Sequence, residues 1–135
     1  MHKERVLAAG GNGLISASGV TRGPNGHFFV ASVISGVINE YDADWRYVQT
    51  VLRPPAGEQL GAQSFSTGTP LGITVGPDGT LYYADIGIVI DAAGIGPGDH
   101  TGSLRRIRFT DGVPELPETI AGHLEFPDGL GLWPR

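Results

Sequence analysis

The sequence predicts an all-β fold built from four-stranded antiparallel units, and three observations support this prediction. A phrase occurs twice, as SASGVTRGPNGHFFVAS at 16–32 and as TPLGITVGPDGTLYYAD at 69–85, with an offset of 53 residues (69 minus 16). Glycine and proline supply 22 and 10 of the 135 residues, and such frequent breaks favour short strands over helices. Each phrase also places Pro-Asx-Gly between two apolar runs, which is typical of a hairpin turn.

Each copy of the phrase continues into two further strands. GVINEYDAD, from Gly36, aligns with GSLRRIRFTD, from Gly102, and indicates a third strand. YVQTVL at 47–52 and PETIAG at 117–122 indicate a fourth. The rest of the chain fits around these two units as a single domain. Its predicted parts are an outer strand of a preceding unit at 4–15, one unit at 16–55, a second unit at 69–124 with an insertion at 87–102, and the first strand of a following unit at 125–135.

One alternative is a helix across the third and fourth strands of the first unit. Apolar residues recur there at helical spacing, at positions 38, 41, 45, 48 and 52. Against the helix, Asp42, Ala43 and Asp44 resemble a turn, and the second copy has Pro114 in the corresponding segment. The strand interpretation is therefore favoured.

Four-stranded units repeated at about 40 to 50 residues indicate a β-propeller segment, here of about two blades. The phrase GITVGPDGTLYYAD resembles NHL repeats and the six-bladed SMP-30/gluconolactonase-like propellers, and the closing LEFPDGLGL resembles the PDG strand start of the SMP-30 group. The resemblance implies a six-bladed ring. The missing blades would come from a longer chain or from self-association, in which three copies supply six blades.

The resemblance also implies a divalent cation, such as calcium, held by a Glu, Asn and Asp set. Asp128 matches the Asp of this set. Where the Asn-Gly phrase would supply another ligand, the sequence has Leu71-Gly72, and the first copy has Ser18-Gly19. Leucine cannot coordinate calcium, which takes oxygen ligands. The chain therefore keeps one metal ligand of the family pattern and departs from the rest.

Four other residues are candidate ligand-binding positions. Asp85 ends the second hairpin and leads into the insertion, which carries Asp91, Asp99 and His100 and is predicted to be a glycine-rich surface loop. An Asp or Ser at a strand end also commonly hydrogen-bonds nearby backbone, which is the structural alternative for Asp85. Three arginines in the stretch LRRIR, at 104–108, are interpreted as the charged face of an outer strand, with Arg106 expected on the opposite face from Arg105 and Arg108.

Composition limits the possible partners. The net charge of −5, without a basic stripe, argues against nucleic acid, since phosphate binding needs clustered Lys and Arg. Cysteine is absent, which excludes disulfides and thiolate chemistry. We find neither a signal-peptide core nor an apolar run long enough for a membrane helix, so membrane association is not expected and the cytoplasm is the default location.

Three functions remain open at this point. The first is a propeller segment that binds a small molecule or a protein at its loop face and is not catalytic on its own. The second is part of a divalent-metal-dependent lactonase or hydrolase of the SMP-30/gluconolactonase type, in which the cation would activate a water molecule. The third is a purely structural, self-assembling module. The sequence favours the first.

Overall fold

The computed structural model describes residues 11–54 and 68–133 and is built from strands and turns. The first sheet contains β1 (Ala17–Arg22), β2 (Phe28–Ser32), β3 (Val37–Tyr41) and β4 (Tyr47–Leu52). Its strands follow one another in the order β1-β2-β3-β4, and each neighbouring pair is antiparallel. This confirms the strands predicted for the first unit. The stretch with helical spacing lies on β3 and β4 and on the turn between them, so the helical alternative is wrong.

The second sheet has the same architecture with two additions. It contains β5 (Pro70–Val75), β6 (Leu81–Asp85), β9 (Gly102–Ile107) and β12 (Glu118–Leu124), in the order β5-β6-β9-β12. A hairpin of β7 (Ile88–Asp91) and β8 (Gly94–Pro97) is inserted between β6 and β9, and a short ribbon of β10 (Phe109–Thr110) and β11 (Val113–Pro114) lies between β9 and β12. Ala84 pairs with Leu104 as Ala31 pairs with Ile38, so the two registers match.

The inserted hairpin corrects the prediction that residues 87–102 form a loop. Val89 pairs with Gly96, and Asp91 pairs with Gly94, in an antiparallel ladder. Three consecutive β-branched residues at 88–90 favour extended backbone. Gly94 turns the chain with a φ of 125°, which side-chain-bearing residues rarely adopt. The high glycine content therefore marks a tight turn between two strands.

The two Pro-Asx-Gly turns have the predicted local structure. The side-chain oxygen of Asn25 accepts a hydrogen bond from the His27 backbone N–H at 3.1 Å. That of Asp78 accepts one from the Thr80 N–H at 3.0 Å, and this bond holds the pKa of the Asp78 carboxyl below its ordinary value. Each turn thus uses its Asx side chain to fix the backbone between two paired strands.

The main core lies between the two sheets. Residues from both sheets share it and are almost fully buried: Phe29, Ala31, Ile38, Val51, Leu52, Ile73, Leu81, Tyr83 and Ile107. The inner strands approach closely at Gly19, where a Cβ atom would lie 2.5 Å from the Leu71 carbonyl oxygen. A smaller cluster of Leu14, Val30 and Tyr41, joined by Trp45, covers the opposite face of the first sheet.

Two predicted segments at the ends are only partly described. Most of the outer strand predicted at 4–15 lies outside the described residues. Residues 125–133 carry no assigned strand, although their backbone packs on Gly72 of β5. Their assignment as the first strand of a following blade stays a prediction. Within the described residues, no helix is long and apolar enough to cross a membrane.

Candidate functional site

A cavity of about 890 Å³ opens where the hairpin leaves the second sheet. One wall is the β7–β8 hairpin with the loop that follows it, and the other is the adjoining ends of β6, β9 and β12. The polar side chains that line it include Thr69, Asp85, His100, Ser103, Arg105 and Thr119. The tight turn at 33–36 takes the place of the hairpin in the first sheet. The cavity is therefore built from the part of the second sheet in which the two repeats differ most.

Asp85 forms the buried end of this cavity, with 3% of its surface exposed. Its Oδ1 atom accepts hydrogen bonds from the backbone N–H groups of Thr69 at 2.8 Å and Gly87 at 2.9 Å. The same atom accepts a hydrogen bond from the Thr69 hydroxyl at 3.1 Å. These are the backbone bonds proposed for an Asp at a strand end, so Asp85 fixes the turn between β6 and the hairpin.

The second carboxylate oxygen of Asp85 is used differently. Its Oδ2 atom accepts a hydrogen bond from the Ser103 hydroxyl at 3.2 Å and forms an ion pair with Arg105 Nη2 at 3.2 Å. The Nε atom of Arg105 donates to Ser103 at 2.9 Å, which closes a triangle of three side chains. Beside it lies Tyr83, whose hydroxyl is buried and therefore has a raised pKa. The cluster lies on the same face of β6 and β9 as their buried apolar side chains, at the end next to the cavity.

The equivalent turn of the first sheet, after β2, shows which hydrogen bonds are enough to fix the backbone when the polar cluster is absent. Ser32 occupies the position of Asp85, and its hydroxyl accepts the backbone N–H groups of Ile15 and Ser16 at 3.0 Å each. From the pairings with Ser32 and Val30, the residues equivalent to Ser103 and Arg105 are Val37 and Asn39. One serine oxygen therefore suffices to fix the turn. The Asp85 carboxylate, Ser103 and Arg105 are additions that belong to the cavity.

A second polar group lies at the rim of the cavity, on the surface. His100 Nδ1 is 2.6 Å from Asp99 Oδ1, and His100 Nε2 is 3.3 Å from Glu125 Oε1. All three residues are exposed, and one ligand atom from each falls within 4.8 Å of the others. The group could therefore hold a metal ion. Sequence analysis selected Asp99 and His100 but missed Glu125, which comes from the segment after β12.

The other two sequence candidates lie in other segments of the chain. Asp91 lies in β7, paired with Gly94. Asp128 is exposed and precedes Gly129, whose Cα would be 2.9 Å from a Cβ at Gly72. In the same way Leu71, which precedes Gly72, places its carbonyl oxygen against Gly19. Asp128 and Leu71 thus hold equivalent positions in the packing of the repeats. The side chain of Leu71 has no oxygen that could serve as a second metal ligand next to Asp128.

The arginines of LRRIR divide between two faces, but the prediction that Arg106 faces away from both Arg105 and Arg108 is wrong. Arg106 and Arg108 lie on the exposed side, and both contact Glu118, at 2.9 and 2.7 Å. Their hydrogen bonds lower the pKa of Glu118 to about 2. Arg105 lies on the opposite side, and only 16% of its side chain is exposed. Strand alternation predicts this split, but the partner of Arg105 depends on the register between β6 and β9.

Comparison with known proteins supports the architecture. Among solved structures, the chain is similar to the PQQ-bound form of aldose sugar dehydrogenase from Streptomyces coelicolor, with a TM-score of 0.52 and 20% sequence identity. The match covers 90% of this chain and 34% of that one, so the chain spans about a third of its length. No family model and no curated protein matches the sequence. The chain is all-β, and its two four-stranded sheets match blades of a β-propeller.

Proposed function

We propose that this chain is a ligand-binding β-propeller segment, with no catalytic activity of its own, that takes a small, hydroxyl-rich molecule into the cavity beside the hairpin. The observation that carries the proposal is the polar cluster at the buried end of the cavity, because the turn there does not need it. A buried carboxylate paired with arginine costs desolvation energy and is seldom the best choice for stability alone. Recognition of a ligand gives a reason for its presence.

The chemistry of the lining favours a neutral polar ligand over a charged one. Asp85 neutralises Arg105, and the remaining titratable groups of the lining are Asp99, which lies 2.6 Å from His100, and His123. Threonine and serine hydroxyls with exposed glycine backbone supply donors and acceptors for hydroxyl groups. A sugar fits this lining. The similar solved protein is named as a sugar dehydrogenase, and this agrees with the proposal without deciding it.

A divalent cation at Asp99, His100 and Glu125 is the second part of the proposal. One imidazole with two carboxylates suits zinc or manganese better than calcium, which prefers an all-oxygen site. Zinc titration of the chain, followed by the ring-proton resonances of His100, tests this part. Saturation with a shift that His100→Ala abolishes is expected, and equal zinc binding by that variant would reject the site.

The ligand is tested by saturation-transfer NMR with a panel of D-glucose, D-xylose, glycerol and gluconate. Thr119→Trp places an indole on the cavity wall, whereas Ile120→Trp adds the same group at the next position of β12, which does not line the cavity. Binding of a neutral sugar that weakens at least tenfold in Thr119→Trp and persists in Ile120→Trp is expected. No binding at 10 mM (roughly the weak end of ligand affinity), or equal loss in both variants, would favour the structural module instead.

A further inference from the structure

The two walls of the cavity differ in chemistry. The sheet wall ends in the buried polar cluster of Asp85, Ser103 and Arg105. The hairpin wall contributes aliphatic side chains instead, and these are Ile88, Val89, Ile95 and Pro97. A molecule that fills the cavity therefore meets hydrogen-bonding groups on one side and an apolar surface on the other.

Ile95 presents a large part of this apolar surface. The residue is 66% exposed and lies in β8 between Gly94 and Gly96. A Cβ at either glycine would have no described atom within 4 Å, so the space beside Ile95 is open. Single exposed apolar side chains are common on protein surfaces, and it is the place of Ile95 on the wall of a cavity with a buried polar end that points to a ligand. Burying such a side chain is worth about tenfold or more in a binding constant.

Thr69 holds the hairpin wall in place relative to the polar cluster. Its hydroxyl donates a hydrogen bond to Asp85 Oδ1 at 3.1 Å and accepts one from the Ile88 backbone N–H at 3.1 Å. At the base of the hairpin, the Gly87 carbonyl accepts a hydrogen bond from the Thr101 hydroxyl at 2.6 Å. An isolated two-stranded hairpin is marginally stable in water, so these bonds matter for its position. The fold therefore sets the spacing between the apolar wall and the polar wall.

The cavity is also larger than a single sugar ring needs. Its volume of about 890 Å³ lies toward the upper end of the range of roughly 300–1,000 Å³ that is typical of sites for drug-sized ligands. An unsubstituted monosaccharide is smaller than such a ligand. Bound at the polar cluster, it would leave the part of the cavity beside the hairpin open.

We propose that the sugar taken by this cavity is a glycoside with an apolar aglycone. The hydroxyl groups of the sugar ring bind the sheet wall, and the aglycone lies against Ile95 of the hairpin. This inference rests on the proposed ligand-binding function and adds the class of ligand. Ile95 is then a specificity-determining residue, because it contacts the part of the ligand in which glycosides differ from one another.

Two glucosides that differ in the aglycone alone test the inference. Phenyl β-D-glucoside and methyl β-D-glucoside are titrated into the 135-residue chain, and binding is followed by saturation-transfer NMR. We expect the phenyl compound to bind at least about tenfold more tightly, because its ring covers the exposed surface of Ile95. Nuclear Overhauser effects should connect the phenyl protons with the Ile95 methyl groups.

Substitutions of Ile95 separate its apolar surface from its place in the hairpin. Ile95→Ser should reduce the preference for the phenyl compound to less than about threefold, whereas Ile95→Leu should keep it, since leucine retains the apolar area. Val113→Ser is the matched control, at a β-branched residue that is 63% exposed on the β10–β11 ribbon and does not line the cavity. It should leave the preference unchanged.

The outcomes distinguish this inference from the function on which it rests. Equal affinity for the two glucosides, or a preference that survives Ile95→Ser, would overturn the aglycone and leave the sugar site standing. Binding of D-glucose but of neither glucoside would do the same. If Ile95→Ser does not fold, the wild-type chain still decides, because the absence of Overhauser effects between the phenyl ring and Ile95 rejects the inference. Failure of the glucosides and of every compound in the sugar panel to bind would reject both proposals.

Discussion

Replacement of Asp85 by serine tests whether its carboxylate does more than fix a turn. Serine is what the first sheet uses at this position, where Ser32 accepts two backbone N–H groups. In Asp85→Ser the turn should therefore persist, while Arg105 loses its ion pair at 3.2 Å and Ser103 loses its acceptor. The fold should remain, and the cavity should lose its fixed arginine.

The cost follows from the bonds that are lost. A hydrogen bond to a charged group contributes about 1.5–3 kcal/mol and a neutral one about 1 kcal/mol. Water from the cavity reaches Arg105, whose side chain is 16% exposed, so the lower part of the range applies. We expect Asp85→Ser to lower the free energy of unfolding by about 2–3 kcal/mol. Asp85→Ala also loses the three bonds to Oδ1 and should cost about 3 kcal/mol more.

Urea unfolding at pH 7, followed by tryptophan fluorescence and far-ultraviolet circular dichroism, measures these differences. The double variant Asp85→Ser with Arg105→Asn reproduces the pair of the first sheet and should recover at least about 1 kcal/mol relative to Asp85→Ser alone. Equal destabilisation by serine and alanine would show that serine does not hold this turn. Strict additivity in the double variant would show that the carboxylate and Arg105 are not coupled, and the reasoning would fail.

Three further predictions use the same repeat and its surface. Ser32→Asp buries a carboxylate that has no arginine opposite it, so it should cost at least about 2 kcal/mol in the same urea assay; a neutral outcome would contradict the pairing argument. Gly19→Ala forces the inner strands apart and should cost roughly 1–3 kcal/mol, whereas Gly96→Ala should stay within about 0.5 kcal/mol, and equal effects would refute the close approach. Glu118 has a pKa lowered from 4.5 to about 2, so its stabilising effect should be present above pH 4.5 and lost as the pH falls toward 2. The stability difference between wild type and Glu118→Gln should shrink over that interval, and a difference independent of pH would contradict the assignment.

The sequence was sufficient for the parts of the fold that local chemistry decides. In a Pro-Asx-Gly turn, the Asx side chain accepts a hydrogen bond from the backbone N–H two residues later and so fixes the turn. Both inner hairpins could therefore be predicted from a short stretch of sequence. The strands β3 and β4 were harder, because their apolar spacing also fits a helix. The second copy resolved them, since Pro114 excludes a helix from the equivalent segment.

The cluster at the buried end of the cavity could not be predicted in the same way. Ser103 and Arg105 reach Asp85 only through the pairing of β6 with β9, and the inserted hairpin separates these strands in sequence. Glu125 reaches His100 from a third segment, after β12. One signal was present in the sequence. Aligned with the first copy, these positions change from Ser, Val and Asn to Asp, Ser and Arg, while the apolar positions around them keep their character.

That change is the reason to look for function at this end of the second sheet. Two sheets that share a register and a packing scheme are controls for each other, because the physical demands on equivalent positions are alike. Where the residues agree, as at Gly19 and Gly72, the fold explains them. Where a small hydroxyl gives way to a buried carboxylate with its own arginine beside a new cavity, the fold offers no explanation, since Ser32 performs the same structural task at lower electrostatic cost. The differences between the repeats therefore locate the proposed binding site more sharply than either repeat does alone.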